Sequence, residues 1–256
     1  VSTIAVVGEV TAESRADIHT QKSGQVTRVN KRIGDRVAAG EIIAEIENAP
    51  ERAALLQAQG GYDAAQAQKS IFATNSKGAG TSLASAETSA RNTLSSAYAS
   101  IDNAVHSTAD SMISNPELAT PVFNIQTTNS QLAVNIVNKR VGISAVLKRH
   151  ATVSRDLSGT SLRMEIQATQ ADVRIALSLM DDIIGALNGG IATYDTSEAD
   201  IAAFLTTAAS ARTALLATAS ALSGALETLD AKETAVELAE KNLQPGGATP
   251  EASTAE

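Results

Sequence analysis

The residues best suited to chemistry in this chain are few and scattered. Its three histidines, His19, His106 and His150, lie far apart in sequence. None shows a short repeat such as His-x3-His, which would set two imidazoles toward one metal. Surface or bundle-face positions are expected for all three. Asp181-Asp182 adjoins an apolar stripe. Neighbours on a helix point about 100° apart, so the pair reads as a solvated face and not as a carboxylate dyad. No Gly-x-Ser-x-Gly elbow is present to expose a nucleophilic serine. Gly78-Ala79-Gly80 lacks the Lys-Ser/Thr that a phosphate-binding loop needs. The chain has no cysteine, which excludes disulfides and thiolate metal sites. These residues point away from an enzyme, and they offer no catalytic, cofactor-binding or metal site.

The composition suggests what the chain builds instead. Of its 256 residues 43% are hydrophobic, but aromatics are only 2% and there is no Trp. Large cores usually take much of their burial from aromatics. Ala, Leu, Ile and Val suit narrow helix–helix seams, where small side chains let helices approach closely. The net charge is −8, with Lys and Arg scattered. No basic stripe argues for nucleic acid. No apolar run is expected to reach the roughly 18 residues that span a bilayer, and no signal peptide is visible. The chain opens at Val1 inside a strand-like stretch, so an anchoring segment is expected to precede it.

Residues 1–47 carry strand signals. Thr3 to Val7 is β-branched and Gly8 to Thr11 continues it. Arg15 to Thr20 alternates. Gly24 opens a short strand, Gln25 to Val29. Gly34-Asp35 and Gly40 mark turns, and Ile42 to Ile46 forms a last strand with Ile42, Ala44 and Ile46 on one face. From Pro50 the texture becomes helical, Pro being favourable in a first turn. Gly60-Gly61 weakens this helix by about 1 kcal/mol per Gly, and Asn75 to Ser82 is expected to break it.

Clearer helices follow. The first carries Leu94, Tyr98, Ile101, Val105, Ala109 and Met112 at three- and four-residue steps, ending at Asn115-Pro116. The second starts near Asn129, with Leu132, Ile136 and Ile143 on one face. After a break at Ser158-Gly159, the third carries Ile166, Val173, Leu177, Met180, Ile184 and Leu187, and stops at Gly189-Gly190. The fourth starts at Ser197-Glu198-Ala199-Asp200, with a capping hydroxyl and acids in the first turn. In it Ile201, Ala208, Leu215, Leu222, Leu229, Val236 and Leu243 fall at strict seven-residue spacing, a coiled-coil seam. At about 1.5 Å per residue this helix is about 65 Å long. Arg212, Glu233 and Glu240 lie four residues after seam positions and are expected to set register within the chain.

Gly24, Val26, Val29 and then Gly34-Asp35-x-Val37-x-x-Gly40-x-x-Ile43 resemble the first half of a biotinyl/lipoyl-type domain. The version in HlyD-like membrane fusion proteins, the periplasmic adaptor subunits of efflux and secretion systems, is the most similar. There the lipoyl-like domain is split, and its first half leads straight into a long helical hairpin. Leu243-x-x-Gly246-Gly247-Ala248-Thr249-Pro250-Glu251 also looks like a loop near the hairpin turn of some members. The resemblance covers roughly residues 3–60 and 230–251. It implies a mainly α chain with a small β part: half of a lipoyl-like β-sandwich, then a coiled-coil hairpin carrying an inserted helical bundle. Residues 1–49 would be the β half-domain, 50–93 the ascending hairpin helix and 94–196 the insert. Residues 197–244 would be the long heptad helix, and 245–256 the turn and the start of a return helix. The glycines Gly24, Gly34 and Gly40, with Asp35 and Val37, would form the structural turn motif.

A true carrier domain needs a modified lysine a few residues after the strand ending Ile46-Glu47. No lysine occurs between Lys31 and Lys69, and Pro50 stands near the expected place. The resemblance thus implies a non-enzymatic adaptor that needs no cofactor and lies outside the cytoplasm, tethered to the cytoplasmic membrane. Its partners would be an ABC or proton-driven inner-membrane transporter, further copies of itself and an outer-membrane channel. The alternative from the residues alone is an extracytoplasmic sensory or structural helical bundle.

Overall fold

A computed structural model describes residues 2–118, 120–153 and 157–244. The hairpin-turn segment expected at 245–256 lies outside the described residues. The chain is mainly helical with a small β part, and it divides into two units, residues 1–68 and 69–256.

In the first unit, β1 (Val26–Val29) and β2 (Ala44–Ile46) pair antiparallel, Val26 opposite Ile46 and Val29 opposite Ala44. The register slips at Thr27, whose hydroxyl donates to the Glu45 carbonyl at 3.2 Å. Residues 2–24 hold no strand, against the strands expected at 3–11 and 15–20. β-branched runs favour a pleated surface only where a neighbouring edge takes their backbone groups, and none is offered here. Ile4, Val6, Val7 and Val10 are all exposed. The face carrying Ile42 and Ala44 is also open, whereas Ile46 is half-buried.

Helix α1 (Ala49–Asp102) begins two residues after β2 with Pro50 in its first turn. It runs unbroken through Gly60-Gly61 and through 75–82, where a break was expected. Each glycine costs about 1 kcal/mol relative to Ala, which the surrounding Ala and Gln residues and, from Leu83 on, tertiary packing outweigh. The inward stripe is Ala86, Ala90, Leu94, Ala97 and Ile101.

In the second unit, α1 passes into a π-helical turn, Asn103–Ala109, and a 3-10 turn, Asp110–Met112. The wider turn brings Ala104, Val105, Thr108 and Ala109 inward together. The helix expected to end at Asn115-Pro116 therefore ends earlier. A two-residue hairpin, β3 (Ile113–Ser114) with β4 (Val122–Phe123), follows it. Asn115 takes a positive φ of 53° at the corner.

Helix α2 (Ser130–Thr152) starts where the Asn129 side chain accepts from the Gln131 N–H at 3.1 Å. Helix α3 (Gly159–Asn188) stops at Gly189-Gly190 because the chain doubles back tightly there. A Cβ at Gly189 would lie 2.6 Å from the Thr128 hydroxyl, and one at Gly190 would lie 2.9 Å from the Leu187 carbonyl. Helix α4 (Glu198–Leu243) opens on a reciprocal cap. The Asp200 N–H donates to Ser197 Oγ at 3.2 Å, and the Ser197 N–H donates to the Asp200 carboxylate at 2.9 Å.

Side-chain pairs fix the helix directions. Arg163 meets Asp230 and Glu233, Gln170 meets Ser223, and Arg212 meets Asp181, so α3 and α4 are antiparallel. Lys139 with Asp182 and Arg149 with Asp172 make α2 and α3 antiparallel. Glu87 with Gly159 and Tyr98 with Glu165 make α1 and α3 parallel. The unit is an up-down-up-down four-helix bundle, and α4 runs back against the direction of α1. Short connections between consecutive antiparallel helices favour this topology.

The core takes Leu162, Ile166, Val173, Leu179, Met180 and Ile183 from α3, and Ile136 and Ile143 from α2. From α4 it takes Ala208, Leu215, Leu222 and Leu229. Ile201 and Val236 are half-buried and Leu243 is exposed. Between Ile201 and Leu226 the only charge on α4 is Arg212, so this helix does have the length and composition of a membrane span, contrary to the first expectation.

Candidate functional site

Two places gather functional side chains. The first is the turn motif of the β unit. Arg32-Ile33-Gly34-Asp35 and Ala38-Ala39-Gly40-Glu41 form two turns of one design. In each, the fourth residue's N–H donates to the first residue's carbonyl, at 3.1 Å both times. In each, the first residue's N–H donates back to the acid at the fourth position: Arg32 to Asp35 at 2.8 Å and Ala38 to Glu41 at 3.0 Å. Gly34 and Gly40 hold φ of +98° and +84°, the left-handed third position of a type II turn, where glycine carries no Cβ penalty. Lys31 lies 2.6 Å from Glu41. The Lys31 ammonium, then the Ala38 N–H, hold the Glu41 carboxyl below its ordinary value. Gly24 serves differently: a Cβ there would strike Ile46 Cγ2 at 2.5 Å, so glycine permits the close approach beside β2. Val37 is exposed. Pro50 and Glu51 lie in the first turn of α1, where Lys22 meets Glu51 at 3.1 Å.

The second place is a polar network inside the bundle. Tyr98 on α1 donates its hydroxyl to Glu165 Oε1 on α3 at 2.8 Å. Arg149 on α2 donates Nη1 to the same oxygen at 2.6 Å and Nη2 to Asp172 Oδ2. His150 Nε2 lies 2.9 Å from Asp172 Oδ2. Its ring stacks on Tyr98 with centroids 4.1 Å apart. The His150 side chain is only 6% exposed, and its Nδ1 has no partner among the described residues. Beside it a cleft of about 550 Å³ is lined by Arg91, Asn92, Ser95, Tyr98 and His150, with Leu94, Val153 and Leu157 as its apolar part. Burial first, then the Glu165 carboxylate, push the Tyr98 phenol above its ordinary value. Burial works against the Arg149 guanidinium, but the Asp172 and Glu165 charges outweigh it, and its value is raised.

The expected surface positions hold for His19 and His106, the latter 2.9 Å from Asp102 one turn away. His150 takes the bundle-face position, as part of a buried polar network. Tyr98 and His150 are 52 residues apart in a chain read stripe by stripe, so only the packing of α1 on α2 and α3 brings them together. The available signal was a hydroxyl on the Leu94–Ile101 stripe, together with Glu165 and Asp172 each preceding an inward residue, Ile166 and Val173. Asp181 and Asp182 point apart: Asp181 pairs with Arg212 on α4, and Asp182 sits 2.5 Å from Lys139 on α2. Glu233 pairs with Arg163 of α3, so Arg212 and Glu233 both tie α4 to α3. Glu240 is exposed.

No group of three or more His, Asp or Glu placed to hold a metal occurs among the described residues. No known protein family, curated protein or solved structure matches the chain.

Proposed function

We propose that the chain is the arm-bearing part of a non-enzymatic adaptor, of the HlyD-like membrane fusion type, that couples a cytoplasmic-membrane exporter to an outer component. The observation that carries this reading is the β1–β2 hairpin with its twin Gly-acid turns, passing into α1 at Ala49 after two residues. A hairpin with an open apolar face, Ile42 and Ala44 included, suits one half of a split sandwich. The bundle refines the proposal. Because α4 runs back against α1, it can serve as the return limb, with α2 and α3 inserted at the far turn. A return helix beyond residue 256 is then not required. Rigid helices transmit position, which is the adaptor's task, and no chemistry or cofactor is assigned to the chain. Its proposed partners are the exporter and further copies of itself, outside the cytoplasm.

Sequencing the gene beyond Glu256 tests this. The reading expects a second Gly-rich half-motif, whose strands cover Ile42 and Ala44. An open reading frame that leads into a kinase or receptor signalling module instead overturns it. One observation favours that second reading, a sensory bundle: the cleft beside Tyr98 and His150.

A further inference from the structure

One end of the bundle differs in charge from the rest of the chain. It is the end where α1 gives way to the π-helical turn, α2 starts, α3 stops and α4 starts. Residues 103–138 and 183–211 build it, and neither stretch holds a Lys or an Arg. Their carboxylates are Asp110, Glu117, Asp195, Glu198 and Asp200. Arg140 neutralises Asp110, while Lys139 and Arg212, just beyond, are matched by Asp182 and Asp181. The one imidazole, His106, faces Asp102. That leaves Glu117, Asp195, Glu198 and Asp200, all exposed, without a cation among the described residues.

The same end presents apolar side chains to water. The Ile191 N–H donates to the Gln126 carbonyl at 2.8 Å and the Thr128 N–H to the Gly189 carbonyl at 2.9 Å, so the segment after β4 and the α3–α4 connection lie side by side. The Thr193 N–H donates to the Thr196 carbonyl at 2.8 Å and closes a turn that leaves Tyr194 fully exposed. Leu118, Val122 and Ile191 are exposed on the same loops. A cleft of about 580 Å³ is lined by both Asp195 and Asp200 and by Met112, Ile125 and Phe204. A fully exposed tyrosine serves no packing within the bundle, and apolar groups gathered in the open mark contact surfaces.

We propose that this end of the bundle docks a polypeptide segment in which Lys or Arg alternates with apolar residues. Charge decides among the occupants. The same end of a second copy brings the same unmatched carboxylates, and like charges across an interface repel. Anionic lipid and nucleic acid carry that sign too. An uncharged apolar segment would take the carboxylates out of water with no cation to compensate them. A basic and apolar segment answers both features. Its cations meet Glu117, Asp195, Glu198 and Asp200, and its apolar side chains meet Tyr194, Ile191 and the cleft. Tyr194 has the character of an interface anchor, with a large ring and few rotatable bonds. The carboxylates are exposed, so salt screens their attraction and affinity falls as salt rises.

The test uses the whole chain, labelled with nitrogen-15, and reads its backbone amides by NMR during titration. The probes are three synthetic peptides of equal length, alternating Lys with Leu, Glu with Leu and Lys with Ser. The Lys-Leu peptide is expected to shift amides of residues 115–118, 120–126 and 189–200 saturably, and to leave those of 230–243, at the opposite end of α4, in place. It is expected to bind more tightly than either control, and more weakly at about 500 mM salt than at about 50 mM. Tyr194→Ser is expected to weaken it about tenfold, and Glu117→Gln with Asp195→Asn to weaken it and to flatten the salt dependence, with the helical circular dichroism unchanged in both variants. Four results overturn the proposal: no saturable shift with the Lys-Leu peptide, equal shifts at 230–243, binding of either control peptide as tight as that of Lys-Leu, or unchanged binding in Tyr194→Ser. The adaptor reading is tested by the gene beyond Glu256 and stands or falls separately.

Discussion

At the scale of single residues, two polar contacts, one on the buried Arg140 and one on the half-buried Tyr98, cross-brace the helices. Arg140 is 1% exposed and forks onto Asp110, with Nε and Nη2 at 2.5 and 2.8 Å, and gives Nη1 to Ser144. The π-helical turn sets Asp110 where α2 can reach it. Removing one partner of such a pair leaves a buried charge, at about 3–5 kcal/mol. Arg140→Met is expected to lose that much in denaturant unfolding, and Arg140→Met with Asp110→Leu to regain most of it. Tyr98 makes a prediction for pH. Its folded value is raised, so its contribution to stability is whole below the ordinary phenol value of about 10 and is lost as pH rises through the folded value. A difference ultraviolet titration of the native chain against Tyr98→Phe is expected to show the Tyr98 step above the ordinary range. A step at about 10 would break the link to Glu165.

At the scale of elements, α4 shows how far a sequence pattern reaches. Its heptads and its Ser197–Asp200 cap are legible because both are local: the period and the cap need no partner to be recognised. How much of the seam is covered is not local. Ala208, Leu215, Leu222 and Leu229 are buried because α3 and the π-helical turn lie against them, while Leu243, past the start of α3, stays exposed. Leu222→Ala is therefore expected to cost about 2–5 kcal/mol and Leu243→Ala less than about 1 kcal/mol in thermal or denaturant unfolding. Helix α1 was harder to read, because its glycines weaken local propensity while packing later in the same helix restores it. The β3–β4 hairpin was missed for a similar reason: two-residue strands carry no period. The strands expected at 3–11 and 15–20 failed the other way, having propensity without a neighbouring edge. The twin turns at Gly34 and Gly40 were legible as turns. That each closes on its own acid emerges only from the backbone geometry.

At the scale of the whole chain, the β hairpin and the bundle suggest complementary tasks. The hairpin offers an open apolar face and leads directly into a helix. The bundle sends α1 out and brings α4 back, braced by Arg163 to Asp230 and Glu233, and by Arg212 to Asp181. The polar network at Tyr98 and His150 left only a faint signal in the sequence, because its members belong to three helices and are set together only by their packing. It leaves the adaptor proposal untouched. The most direct test of the adaptor proposal is its partner. A photo-crosslinking residue placed at Tyr62, which is exposed on α1, would be introduced into the full-length gene product in its own membrane. The crosslinked species would then be identified by mass spectrometry. The account predicts crosslinks to another copy of the chain, and recovery with them of an ATP- or proton-driven exporter. Recovery of a signalling kinase or receptor, with no transporter in the complex, would contradict it.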